Sequence, residues 1–185
     1  MMRPSTFTRA CGLATVVCAI AVPVRAQSAL EYNVKAALLL NFARFIEWPD
    51  GAFANPGAPV EVCVFAPSPF GDALTNALEG ELVSGRTLTA REVRTAADSA
   101  GCHLLFVPDG SELRAAALVR HTGPHTVTVG ETRRFEEIGG AVSFVVESGR
   151  VRFNVNLQPV EHRGIRISAR MLKLANRVDR ATPAK

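Results

Sequence analysis

The chain has 185 residues and a formal net charge of +4. This length is enough for one domain and hardly enough for two. Residues 1–26 have the pattern of a secretory signal, because Arg3 and Arg9 precede an apolar run from Cys11 to Val24 and Ala26 offers a cleavage site. An uncleaved membrane anchor is the alternative, although the run is short for a membrane span.

Cleavage after Ala26 changes the charge of the chain. It removes three of the 21 basic side chains, which leaves 18 against 17 acidic ones and a net charge of +1. A charge so close to zero argues against nucleic-acid binding, which needs an excess of basic side chains. We expect the mature chain to form one domain over residues 27–180, followed by a flexible tail over residues 181–185.

The longest apolar stretch of the mature chain runs from Val34 to Trp48 and predicts a core helix. Pro49 ends it, because proline biases the preceding residue away from helical angles. The polar side chains form only a narrow strip, so the helix must be buried on most sides. They are Asn33, Asn41, Arg44 and Glu47. The alternative is that one exposed edge of this helix receives a partner.

Strands and helices alternate through the rest of the chain. Strands are predicted over residues 60–66, 86–93, 102–107, 125–129, 141–146 and 151–157. Helices are predicted over residues 69–79, 112–120, 132–138 and 165–177. Ser111 is a candidate cap for the helix that follows it. Gly149 lies in a connection short enough to join the last two strands as a hairpin.

This alternation predicts an α/β fold, a three-layer α/β/α sandwich around a parallel-rich, Rossmann-like sheet with an antiparallel C-terminal hairpin. The expected cleavage leaves Cys63 and Cys102 as the cysteines of the mature chain. An exported pair predicts one disulfide bond, with two buried free thiols as the alternative. Crossovers in this class commonly place the first strand beside the third, which would make the bond geometrically feasible.

Motifs for chemistry are scarce. The sequence has neither a phosphate-binding glycine loop nor a G-x-S-x-G nucleophile motif. His121 and His125 are separated by Gly123 and Pro124, so they cannot share a helical face as metal ligands. The Gly139–Gly140 doublet precedes a strand and predicts a tight turn. We therefore predict a protein that is not an enzyme, with no catalytic residue, metal or cofactor.

Basic residues recur near the C-terminus with helical spacing. Arg166, Arg170, Lys173 and Arg177 are spaced 4, 3 and 4 residues apart, and Arg180 continues the series. A solvated helix face is the ordinary interpretation of such a pattern. The alternative is a docking stripe for an acidic partner or for anionic lipid headgroups.

Over residues 30–178 the chain resembles the YfiR family of small exported bacterial proteins. The resemblance is carried by Tyr32-x-x-Lys35-Ala36-Ala37, Asn41-Phe42-x-x-Phe45-x-x-Trp48-Pro49, Val62-Cys63-Val64, Pro69-Phe70-Gly71, Cys102-His103-Leu104-Leu105-Phe106, Phe135-x-x-x-Gly139-Gly140, Val151-Arg152-Phe153-x-Val155-Asn156 and Ile167-Ser168-x-x-Met171-Leu172-Lys173-Leu174-Ala175. We expect structural roles for Tyr32, Lys35, Asn41, Phe42, Phe45, Trp48, Pro49, Gly139, Gly140, Phe153 and Asn156.

The resemblance implies a periplasmic regulator. Such proteins bind the periplasmic part of an inner-membrane diguanylate cyclase and hold it inactive, which lowers cyclic di-GMP and limits biofilm formation. A sensor kinase as partner and a homodimer are further alternatives. Cys63 and Cys102 match one disulfide of the family, whereas a second one has no cysteines here, so the resemblance implies a structural bond. A module that binds a small ligand, such as a cell-wall fragment, and an envelope enzyme are the rival functions.

Overall fold

A computed structural model describes residues 24–110, 112–132 and 134–180, without the side chains of residues 24–26, 112 and 113. Most of the predicted signal, the Ser111 cap and the predicted tail lie outside the described residues. The helices are α1 (Val24–Phe45), α2 (Ala73–Leu78), α3 (Glu112–His121), α4 (Gln158–Glu161) and α5 (Ala169–Leu174). The strands are β1 (Ile46–Glu47), β2 (Val60–Phe65), β3 (Leu82–Val83), β4 (Arg86–Val93), β5 (Leu104–Val107), β6 (Val127–Gly130), β7 (Val142–Glu147), β8 (Arg150–Asn156), β9 (Arg166–Ile167) and β10 (Arg177–Asp179).

Eight of these strands form one sheet in the order β10-β8-β7-β6-β5-β2-β4-β3. Two pairs of neighbouring strands are antiparallel, β7–β8 and β3–β4. The other pairs are parallel, namely β8–β10, β6–β7, β5–β6, β2–β5 and β2–β4. The tight turn between β7 and β8 has positive φ at both Ser148 and Gly149, as the commonest two-residue hairpin requires. The predicted parallel-rich sheet with an antiparallel C-terminal hairpin is therefore confirmed.

Helices cover both faces of the sheet, which gives the predicted three layers. Leu39 and Phe42 of α1 and Leu74 of α2 are buried with one set of strand side chains. On the opposite face, Ala115 and Leu118 of α3 are buried with another set. The all-buried pattern of β5 and β6 follows from this arrangement, because both faces of a central parallel strand are covered.

The predicted neighbours in the sheet bring the two cysteines together. β2 lies between β4 and β5, so the first predicted strand is next to the third. Cys63 and Cys102 form a disulfide bond with a Cα–Cα distance of 5.8 Å, and both are buried. The prediction of one disulfide is confirmed.

The first helix ends earlier than the sequence suggests. Instead of continuing to Trp48, the helix stops at Phe45, and β1 pairs antiparallel with β9. The Ser168 amide donates a hydrogen bond to the Phe45 carbonyl at 2.9 Å. This bond satisfies a carbonyl that a longer helix would leave unpaired, because the residue four positions on is Pro49, which has no amide hydrogen.

The helix predicted over residues 132–138 is wrong, because its described residues form turns. The amides of Phe135, Glu137 and Gly139 bond to carbonyls three residues back, at 3.0 to 3.1 Å. The side chain of Phe135 is fully buried on the α3 face of the sheet. Burial of this ring fixes the loop, and periodicity alone does not reveal that contact.

The C-terminal helix predicted over residues 165–177 is also wrong in extent. Only α5 is helical, with Ser168 as its N-cap, and both flanking segments are strands. The Asn176 amide donates to the Phe153 carbonyl at 2.8 Å, where β10 joins the sheet. The basic residues from Arg166 to Arg177 consequently do not share one helix face. Strand pairing with β8 and with β1 satisfies the backbone groups of residues at both ends of this segment, where the 3.6-residue apolar spacing predicted a helix.

The glycine doublet allows Phe135 to approach the backbone closely. Gly139 has a φ of +92°, as the predicted turn requires, and a Cβ on Gly140 would lie 2.1 Å from the Phe135 ring and 2.6 Å from its carbonyl oxygen. Gly130 faces the same ring, with a Cβ placed 2.3 Å away. Gly130 and Gly140 thus leave room for the Phe135 ring, which an alanine at either position would displace.

We predict that Gly140→Ala lowers the free energy of unfolding by about 2 to 4 kcal/mol, because overpacking displaces Phe135 and the backbone carbonyl cannot move freely. Urea titration followed by circular dichroism measures this change. Gly57→Ala is the matched control, since its nearest non-neighbouring atom lies 3.6 Å away. Equal stability of the two variants would contradict the packing argument.

Candidate functional site

A cluster of polar side chains lies where α1 passes the carboxyl ends of β5 and β6. Tyr32 and Lys35 are one helical turn apart on α1, so they project from the same side. Glu131 directly follows β6, and Asp109 follows β5. Parallel strands end at the same edge of the sheet, and α1 crosses that edge with its first described turns.

Glu131 is the centre of this cluster. Its carboxylate accepts hydrogen bonds from the Tyr32 hydroxyl at 2.9 Å and from the Asp109 amide at 2.9 Å, and it forms an ion pair with Lys35. The Lys35 ammonium also pairs with Glu31 at 2.5 Å and lies 4.5 Å from the centre of the Tyr32 ring. Lys35 and Glu131 are buried, with 3% and 6% of their side chains exposed. These contacts supply the hydrogen bonds that charges inside a protein require.

The surroundings keep the Tyr32 hydroxyl protonated. Burial raises the pKa of Tyr32 far above its usual value, and the negative charge and hydrogen bond of Glu131 raise the pKa further. Tyr32 consequently remains a hydrogen-bond donor to Glu131 throughout the physiological pH range.

These side chains line an open cavity of about 600 Å³ between α1 and β7, here called the α1–β7 cavity. Its lining residues are Glu31, Tyr32, Lys35, Asp109, Glu131, Phe144, Val145 and Val146. Three carboxylates oppose one ammonium in this set, a formal charge of −2. The cavity therefore combines an acidic edge with an apolar wall, as a site for a basic group with apolar neighbours would.

Aromatic side chains fill the opposite end of the sheet. The His103 ring stacks on Phe53 with centroids 4.3 Å apart, and Trp48 meets both rings edge to face. The Trp48 indole N–H donates to the His125 carbonyl at 3.0 Å, and the Arg86 guanidinium lies 3.8 Å from the Phe53 ring centre. This cluster closes the amino ends of β5 and β6.

His103 is held in its neutral form. Nδ1 accepts a hydrogen bond from the Glu61 amide at 3.1 Å, and Nε2 lies 3.1 Å from the Ala52 carbonyl. Nδ1 acts as an acceptor, so the proton resides on Nε2 and is donated to Ala52. Burial lowers the pKa of His103 below its ordinary value of 6.5.

The predicted basic stripe is dispersed. Arg166 pairs with Glu47 across β1 and β9 at 3.0 Å, and Arg177 pairs with Glu136 and with Asp179. Arg170 and Lys173 are exposed on α5 without a described ion pair. Of the four residues proposed from spacing, only these two remain together on a free helical surface.

Most of the family-motif residues that we expected to be structural lie in packed positions. Phe42 contacts the Phe144 and Phe153 rings in the core, with centroids 5.7 and 4.9 Å apart. Phe45 packs against the same core. The Asn156 side chain accepts a hydrogen bond from the Gln158 amide at 3.2 Å. Pro49 precedes a short 3-10 turn, and Asn41 is half-buried on α1.

Sequence reasoning missed Glu131, Asp109 and Phe53. The two acids each follow a buried strand by one or two residues, which is the position of ligand-facing side chains in parallel α/β sheets. That signal was available in the sequence. Phe53 lies in a glycine- and proline-rich loop, and nothing in the local pattern indicates its stacking on His103.

Within the described ranges, no group of three or more His, Cys, Asp or Glu side chains is arranged to hold a metal ion. No helix in those ranges combines the length and apolar character that a membrane span needs.

The arrangement is a doubly wound α/β domain, and comparison with known proteins identifies its family. The family model DUF4154, described as YfiR/HmsC-like, matches residues 32–176. The chain therefore belongs to the YfiR/HmsC-like family. The match begins at Tyr32 and includes Lys35 and Glu131.

Comparison with solved structures gives two matches of low sequence identity. A conserved domain protein from Vibrio cholerae superposes with a TM-score of 0.54 at 10% identity, covering 80% of this chain and 60% of that one. The ABC domain in complex with L-Trp from Streptococcus pneumonia gives a TM-score of 0.46 at 14% identity, covering 64% of this chain and 55% of that one. This chain thus spans less than two thirds of either structure's length. The first likeness shows the fold alone.

We predict that Lys35→Met lowers the free energy of unfolding by about 3 kcal/mol, because it leaves the Glu131 carboxylate buried without its counter-ion. Glu131→Gln should be similarly costly, and the double variant should lose less than the two single losses together. Urea titrations of the four proteins measure the coupling. The control is Arg134→Met, which removes an exposed ion pair with Glu137 and should cost less than about 1 kcal/mol. Additive single losses would contradict a coupled pair.

We predict a pH-dependent stability from His103. Its folded pKa lies below its unfolded value, so unfolding takes up a proton and stability falls as the pH drops below about 6.5. The loss is complete once the pH passes below the folded pKa. His103→Phe should be less stable at pH 7. Its free energy of unfolding should also depend less on pH, by up to about 1.4 kcal/mol per pH unit. Unfolding titrations between pH 7 and 5 test it, with exposed His162→Gln as control; an unchanged slope in His103→Phe would refute it.

Proposed function

We propose that the mature protein is periplasmic and that it binds the periplasmic domain of an inner-membrane diguanylate cyclase, holding it inactive. The observation that carries this proposal is membership of the YfiR/HmsC-like family over residues 32–176. Relatives of this kind are regulators that act by contact. The activity proposed for this chain is therefore binding rather than catalysis, and it lowers cyclic di-GMP in the cell.

The Cys63–Cys102 disulfide supports export. Both cysteines are buried in the described domain, and disulfides of this kind persist in oxidising compartments and are rare in the cytosol. The sequence before Ala26 has the pattern of a secretory signal, and the expected mature chain runs from residue 27. The disulfide bond and the predicted signal sequence together favour the periplasm as the place where the protein acts.

The proposed mechanism is a shift of population. A protein that binds the inactive conformation of a cyclase more tightly than the active one biases the output by that difference in affinity. Such a regulator needs a rigid body and an accessible surface. The rigid body is provided by the two hydrophobic clusters, one on each face of the sheet, and by the disulfide. The outer edge of α1, the β7–β8 hairpin and the basic residues Arg166, Arg170, Lys173 and Arg177 are the candidates for the second.

A second candidate is a module that binds a small ligand, such as a cell-wall fragment. The α1–β7 cavity favours it, since an apolar wall with converging polar groups is the usual form of a ligand site. The two functions differ in their effect on the cell. A ligand-binding module without a cyclase partner leaves cyclic di-GMP unchanged when the gene is removed.

We predict that deletion of the gene raises cellular cyclic di-GMP, because the cyclase loses its repressor. Mass spectrometry of nucleotide extracts measures the level. Expression of the full chain should restore it, whereas residues 27–185 without the leader should not, since that product stays in the cytoplasm. Purified mature protein should also capture the cyclase from detergent-solubilised inner membrane.

An unaltered cyclic di-GMP level after deletion would contradict the cyclase proposal. If residues 27–185 without the signal sequence restored the cyclic di-GMP level, the result would contradict action in the periplasm. Capture of a sensor kinase instead of a cyclase would show that the partner is a kinase.

A further inference from the structure

The β7 side of the α1–β7 cavity is apolar. Val146, at the end of β7, lines the cavity and is 54% exposed. Phe144 and Val145 line the cavity beside Val146, so β7 presents an apolar wall to the acidic edge. An apolar patch with a polar rim is a common form of interaction surface.

The charge of this surface is negative. Lys35 is neutralised by Glu31 and Glu131, which it contacts directly. Asp109 is exposed, and its carboxylate forms no hydrogen bond or ion pair with the described residues. An acidic surface repels anionic lipid headgroups and attracts basic groups over several ångströms. The charge therefore selects a basic protein segment over a membrane surface.

We propose that the α1–β7 cavity is the docking surface for a segment of a protein partner in which a Lys or Arg is flanked by apolar residues. The cation is placed beside Asp109 and Glu31, and the apolar flanks cover the β7 wall of Phe144, Val145 and Val146. Apolar burial provides the affinity, and the charge pair provides orientation and speeds association. The identity of the partner as a cyclase rests on the function proposed above, whereas the chemistry of the surface does not.

Two variants alter this surface without removing a described polar contact. Asp109→Lys reverses the free carboxylate, and Val146→Asp places a charge on the apolar wall. Their matched controls are Glu79→Lys, after α2, and Leu82→Asp, on β3 at the far edge of the sheet. Glu79 is exposed and Leu82 is 59% exposed, so each control makes the same chemical change away from the cavity.

The first measurement is the affinity of each variant for the purified periplasmic domain of the captured cyclase. We expect Asp109→Lys and Val146→Asp to weaken binding at least about tenfold, with the controls within about twofold of the unmodified protein. Thermal unfolding of each variant checks that the fold is intact. The double variant Arg170→Glu/Lys173→Glu tests the competing surface on α5 and should bind like the controls.

The second measurement does not depend on the cyclase. The peptide acetyl-Leu-Arg-Leu-amide is titrated into ¹⁵N-labelled mature protein, with acetyl-Leu-Gln-Leu-amide as the uncharged counterpart. We expect amide shifts at Asp109, Glu131 and Val146 with the arginine peptide, and markedly smaller ones with the glutamine peptide. Asp109→Lys should abolish the difference between the two.

The outcomes separate the two proposals. Unchanged cyclase binding by Asp109→Lys and Val146→Asp overturns the docking surface and leaves the regulatory function standing. Loss of binding in the α5 variant alone also overturns it. Cavity shifts with the arginine peptide but no cyclase binding support the surface and overturn the cyclase partner. A dimer in sedimentation that Asp109→Lys dissociates makes a second copy the occupant and overturns the proposal.

Discussion

The ion pair between Lys35 and Glu131 constrains where the first helix can lie. A buried ammonium requires carboxylates within contact distance, and Glu131 and Glu31 are the two that supply them. Because Glu131 follows β6, the pair fixes the register of α1 against the carboxyl edge of the sheet. Tyr32 adds a hydrogen bond from the same side of the helix. The α1–β7 cavity is a consequence of this placement, since the helix segment with Glu31, Tyr32 and Lys35 faces β7 across it.

The two ends of the sheet are built differently. At the amino ends of β5 and β6, the rings of Trp48, Phe53 and His103 pack against one another. Nε1 of Trp48 and Nε2 of His103 form hydrogen bonds with backbone carbonyls. The Cys63–Cys102 disulfide ties β2 to the segment that enters β5. At the carboxyl ends, polar side chains and an open cavity replace this packing. A rigid base with an accessible opposite edge is compatible with the regulation by contact that we propose.

Several features of the family pattern have a physical explanation in this structure. Tyr32 and Lys35 are spaced to reach one carboxylate, and Gly139 and Gly140 provide a left-handed turn and the space for the Phe135 ring. The segment from Ile167 to Ala175 contains a strand residue, a Ser168 cap and one short helix rather than a long helix. Its pattern reflects burial of Ile167 and Met171, whereas Arg170 and Lys173 are exposed to solvent.

The sequence by itself determined the α/β class, the parallel-rich sheet, its antiparallel hairpin and the disulfide, because strand burial and turn residues are encoded locally. It also located Tyr32 and Lys35 through a motif, but not Glu131, which lies 96 residues from Lys35. Only the tertiary structure decided that α1 yields to a strand at Ile46, that residues 134–139 form turns, and that the basic residues near the C-terminus divide among strand, helix and strand. In each case a distant segment satisfies backbone groups or buries a ring, and these long-range contacts outweigh the local preference that periodicity measures.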